Sequence, residues 1–154
     1  MQKFMGLWLV AGLLATPVAE AASGDSISPE EVTSALRGIE ATEITVSRDS
    51  AGDPIVVAIV EDTQFQVLMY GCGEDDRCKS IQFRSGYDLD EAMSLDAVNE
   101  WNTVMRYGKV WLDDVGDPFI ELDLDMTGSS DAQVARSALM WAAMLSGFET
   151  HIGY

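Results

Sequence analysis

Residues 119–126 read FIELDLDM, and no stretch constrains the fold more. Ile120, Leu122, Leu124 and Met126 fall on one side, and Glu121, Asp123 and Asp125 on the other. Strict alternation is the pattern of a strand in a sheet with one buried and one wet face. The apolar side must be covered by a second layer. The acidic side is expected as a solvated face, or as a surface that attracts a basic partner.

Other segments read the same way. EITVSR places Ile44 and Val46 together, and QFQVLMY places Phe65, Val67 and Met69 together. KSIQFRS pairs Ile81 with Phe83, and KVWLDD precedes FIELDLDM across the turn VGDP. PIVVAIVE is apolar and β-branched throughout, as a central strand is. Asp49 to Pro54, DSAGDP, is a dense turn signal, and Glu61 to Thr63 is a short one. Connections this short imply antiparallel pairing of consecutive strands.

Three segments carry the helical period instead. In SPEEVTSALRGIE, Ser28 caps, Pro29 suits the first helical position and Glu31 completes a capping box. Val32, Leu36 and Ile39 share a face, and the helix is expected to end near Gly38. In SLDAVNEWNTVMRYG, Ser94 caps, Leu95, Val98, Trp101 and Met105 form the stripe, and Gly108 is the expected stop. In the last segment Val134, Ala138, Trp141, Leu145 and Phe148 recur at three and four. The order α-β-β-β-β-α-β-β-α predicts an α+β domain. Its antiparallel sheet has five to six strands packed against helices.

The chain has 154 residues, room for one domain with a substantial core. Its first 21 residues are set aside: Lys3, an apolar run from Phe4 to Ala15, then Pro17 and Ala19-Glu20-Ala21. These are the parts of a secretory signal peptide, with cleavage expected after Ala21. The apolar run is shorter than the roughly 20 residues a spanning helix needs. Residues 22–27 are then a flexible new terminus, 28–150 the domain and 151–154 a tail. Loss of Lys3 and Glu20 leaves the net charge at −17. Such a surface repels phosphate backbones and anionic lipid heads, so nucleic acid and membranes are poor partners. Cations, basic peptides or basic protein faces fit better.

Cys72 and Cys78 are the chain's two cysteines, and they flank an acidic loop. Export favours oxidation, and a bridge closing so small a loop contributes about 2 kcal/mol by the chain-entropy argument. A zinc site needs four ligands, and the single His151 lies far away. A thioredoxin-like centre has two intervening residues; this pair has five. A structural disulfide is the expectation.

Candidate sites are few. Asn99 and Asn102 lie on one side of the second helix, and asparagine is a mediocre helix former. With Trp101 they read as a structural latch onto nearby backbone, or as contacts to a partner. Asp113, Asp114 and Asp117 supply oxygen ligands for calcium, though their spacing departs from the EF-hand pattern. His151, past the last helix, is poorly placed as a general base. No nucleophile elbow, phosphate loop or H-E-x-x-H motif occurs. No cofactor is indicated.

These segments together resemble the YbjN-domain family, described as regulators of bacterial sensory transduction. The resemblance rests on D-S-A-G-D-P before a strand, C-K-S-I-Q-F, V-N-E-W-N, L-D-D-V-G-D-P, and the late helix with Trp141 and Phe148. It covers residues 28–150. The turn at Glu61 lacks the glycine expected there. The family in turn resembles type III secretion chaperones, an antiparallel sheet with helices on one side. That likeness implies a binding role, no catalytic residues and, since such chaperones dimerise, compatibility with a homodimer. A bacterial source makes the exported location periplasmic. The expectation is a non-enzymatic exported adaptor holding a protein or peptide, with a calcium-responsive protein as the alternative and a small hydrolase as a remote one.

Overall fold

The computed structural model describes residues 25–129 and 131–154; the expected signal peptide lies outside them. The elements are α1 (Pro29–Arg37), β1 (Thr42–Arg48), β2 (Pro54–Val60), β3 (Thr63–Tyr70), β4 (Ser80–Gly86), α2 (Leu95–Val104), β5 (Lys109–Leu112), β6 (Pro118–Asp125) and α3 (Asp131–Ile152). The fold is α+β, in the order expected. The strands form one sheet, β1-β2-β3-β4-β6-β5, and every neighbouring pair is antiparallel. Consecutive hairpins build β1 to β4. After α2 the chain returns one place further out, so that β6, not β5, pairs with β4.

Local chemistry sets the elements. The Ser28 hydroxyl accepts the Glu31 N–H while the Glu31 carboxylate accepts the Ser28 N–H, a complete capping box. α1 then buries Val32 and Leu36 against the sheet. Val56 and Ala58, Phe65 and Val67, Ile81 and Phe83, and Ile120 and Leu122 all point to this helix face. Val134, Ala138, Trp141, Leu145 and Phe148 of α3 close over them. The fully buried Trp141 ring lies 5.5 Å from Phe83 and 6.0 Å from Phe65. Truncation of such a core aromatic costs about 3–5 kcal/mol.

The Cys72–Cys78 disulfide is formed, joining the ends of β3 and β4. It also organises the start of the domain. Ile27 and Cys78 exchange backbone hydrogen bonds of 2.9 and 2.8 Å, and Arg77 donates to the Ser26 carbonyl at 2.7 Å. Of the terminus expected to be flexible, residues 26–27 are therefore tied to the cysteine loop.

The structure corrects four other expectations. Val46 is 54% exposed, because β1 is an edge strand that α1 covers only in part. Leu95 is 70% exposed, since it opens α2 beyond the body of the fold. α2 stops at Val104, four residues before Gly108, because Met105 adopts an extended conformation. Gly108 serves the turn into β5, where φ is +75° and a Cβ would collide with Met144. Finally, α3 runs to Ile152 and takes in His151, which was expected in a tail.

Two non-glycine residues make the β2–β3 turn. Glu61 and Asp62 have φ of 48° and 70°, as a two-residue turn of the I′ kind requires at both positions. Side chains with a Cβ are strained there. Replacement of Glu61-Asp62 by Asn-Gly should stabilise the protein by about 1 kcal/mol, read as a higher midpoint in urea with an unchanged slope.

Near the same turn the Thr63 hydroxyl donates to Glu149 Oε1, which also accepts from the Tyr87 hydroxyl at 3.3 Å. Burial, and then the Glu149 charge, hold the Tyr87 phenol well above its ordinary 10.0. A group raised in this way contributes stability that is complete below its unfolded value and is lost as pH rises through its folded value. Unfolding free energy should therefore hold to about pH 10 and decline above it. Tyr87→Phe should flatten that alkaline decline in thermal melts across the range.

Candidate binding face

The side of the sheet opposite the helices is uncovered by any helix among the described residues. Register defines its rows. Ser47, Ile55, Leu68, Gln82 and Asp123 form one, and Thr45, Val57, Gln66, Arg84, Glu121 and Lys109 another. On this face β2 presents Ile55, Val57 and Ile59, all half-buried, and β3 adds Leu68. At the far edge Trp111 and Phe119 stand opposite each other, rings 4.6 Å apart and nearly parallel at 11°. The outer face is therefore apolar at both sides and polar between.

The polar part is a continuous ladder. Tyr70 donates to Gln82, whose amide donates to Asp123 Oδ1 at 2.7 Å. Lys109 lies 3.2 Å from both Asp123 Oδ2 and Glu121 Oε2, and Arg84 Nε 3.2 Å from Glu121 Oε1. The guanidinium of Arg84 sits 5.0 Å from the Phe119 ring centre and 5.2 Å from that of Trp111, within cation–π range. Hydrogen bonds donated by Lys109 to Asp123 and then to Glu121 hold its ammonium above its ordinary range. Gly86 is required opposite Phe119, because a Cβ there would collide with the ring's Cε1. Beside Phe119 the face dips into a hollow of about 510 Å³, walled by Gln66, Arg84 and Phe119 and flanked by Asp88, Asp113 and Asp117.

The acidic strip expected from the sequence is split by this arrangement. Glu121 is buried, not solvated, because Arg84 and Lys109 lie over it. Asp123 is exposed but paired, and Asp125 is exposed, its carboxyl held below the ordinary range by the Thr127 backbone N–H.

Two of the three aspartates considered for calcium have structural tasks. Asp113 Oδ1 accepts from the backbone N–H groups of Val115, Gly116 and Asp117, and Asp117 Oδ1 accepts from Leu89. Asp114 is exposed. Among the described residues no three His, Cys, Asp or Glu side chains converge as a metal site would need.

The helical asparagines part company. Asn102 Nδ2 donates to the Val110 carbonyl at 3.0 Å, and its Oδ1 accepts the Val110 N–H at 2.9 Å. This one amide thus occupies both backbone groups of an edge-strand residue. Asn99 is exposed, and Trp101 is buried against Phe148 at 5.0 Å and His151 at 5.4 Å. His151 Nε2 lies 3.1 Å from the Ala97 carbonyl, so the imidazole pins α3 to α2. Sequence reasoning missed Arg84, Trp111 and Phe119. A signal existed: Trp111 and Phe119 are equidistant from Val115, the centre of the five-residue turn DDVGD, so a hairpin centred there sets them opposite each other.

Asn102→Ala should cost about 1–2 kcal/mol, since it removes both hydrogen bonds and leaves the Val110 N–H and carbonyl to water at the sheet edge. Amide hydrogen exchange should quicken at Val110 beyond the change seen in β2 and β3.

The family model YbjN, described as "Putative bacterial sensory transduction regulator", matches residues 28–153. No curated protein matches the chain.

Proposed function

The chain belongs to the YbjN family, and from that premise we propose that it is a non-catalytic, exported module that holds a protein or peptide partner on the outer face of its sheet. One observation carries the reading: β2 is apolar on both sides, but among the described residues helices cover one side alone. A strand with Val56, Ala58 and Val60 inward and Ile55, Val57 and Ile59 outward has the composition of one covered twice. Contiguous uncovered apolar surface rimmed by polar groups marks interaction sites. The family description names a regulator rather than a catalyst, in keeping with a binding role. Export is supported by residues 1–21 and by the Cys72–Cys78 bridge, which persists outside the reducing cytosol.

A photo-crosslinking amino acid at Leu68, in the living source cell, tests the site. The expected result is a discrete adduct there and none from the same group at Leu139, on α3. Adducts at Leu139 alone would refute it. Protein recovered from the same cells should begin at Ala22 and carry no reactive thiol; an intact leader with two free thiols would remove the exported location.

A further inference from the structure

The outer face restricts what its occupant can be. It is a sheet face, so it offers side chains and no free strand edge. An extended peptide laid across it would leave its own backbone N–H and carbonyl groups unpaired. A helix satisfies its backbone internally and buries only a stripe. The apolar strip of Ile55, Val57, Ile59 and Leu68 has the form that such a stripe covers.

Charge restricts it further. The charges within the face are paired with each other: Arg84 and Lys109 with Glu121 and Asp123. Acidic residues surround it. The turns at the two ends of β2 carry Asp49 and Asp53, and Glu61 and Asp62, and the hollow beside Phe119 has Asp88, Asp113 and Asp117. A second copy of this chain would bring another −17 against the same border and is disfavoured.

We infer that the occupant is an amphipathic helix with an apolar stripe on β2 and β3 and lysine or arginine side chains at its borders, one of them in the hollow beside Phe119. This rests on the reading that the outer face holds a partner. Its recognition is by side chains: the apolar strip supplies area, and the acidic border supplies orientation and on-rate.

Two synthetic helices of about five turns test it. They share a leucine stripe and differ in carrying lysine or glutamate elsewhere. The oxidised protein, isotopically labelled, is titrated with each. The lysine helix should shift the amides of Val57 and Ile59 and the indole N–H of Trp111, and its Kd should rise about tenfold from about 50 mM to about 300 mM salt. Val57→Lys and Asp88→Lys, both at solvent-facing positions, should each weaken it several-fold with Tm little changed. Equal binding of the glutamate helix, binding of neither, or lysine-helix shifts confined to Ala35 and Leu139 would overturn the inference. The Leu68 crosslink separates the two levels. An adduct whose partner segment is acidic or extended leaves the outer-face reading standing and removes the cationic helix; no adduct removes both.

Discussion

Among the described residues, three helices press on one side of a six-stranded sheet, and most other features follow from that asymmetry. It sets which residue of each strand is core, through the pleat, and so places Phe65, Phe83 and Trp141 in one cluster. It leaves the opposite side to organise itself without a covering layer. The sheet does so by laying long side chains flat across neighbouring strands: Arg84 over two aromatic rings, Lys109 between two carboxylates. Glu121 is thereby withdrawn from water on a face that no helix among the described residues touches. Its charge is tolerable because two cations flank it, one of them still substantially hydrated.

The two edges of the sheet are handled differently. At β5 the Asn102 side chain stands in for a further strand by occupying Val110 from the side. At β1 the strand is exposed along most of its length, and protection comes from irregularity. Its register with β2 slips between Thr42 and Thr45, where Glu43 adopts a φ of 50°. A slipped, kinked edge is a poor template for another chain.

How much of this was legible in the sequence depended on range. Period-two alternation in β3 and β6 and the three-and-four spacing of α3 are local, and they gave strand, helix and facing correctly. The capping box at Ser28 was equally local. Glu121 was misjudged because alternation tells which face a residue takes, not what its cross-strand neighbours do above it; that needs the register with Arg84 and Lys109. Asn102 was singled out by type, but its target Val110 depends on how the chain reverses after Met105. His151 was placed outside the helix although the better stop signal, Gly153 with its φ of 71°, lay two residues further on. The strands of the outer face were legible as strands, whereas the Trp111–Phe119–Arg84 stack arises only from pairing across three of them.

The bridge between the third and fourth strands bears on how such a chain matures. With two cysteines in the whole sequence, one intramolecular pairing exists and no scrambled isomer can form. The partners are six positions apart, so they meet by closure of a short loop and need no distant part of the polypeptide in place. An oxidant can therefore act on this chain early or late in its biogenesis and reach the same product, without help from an isomerase.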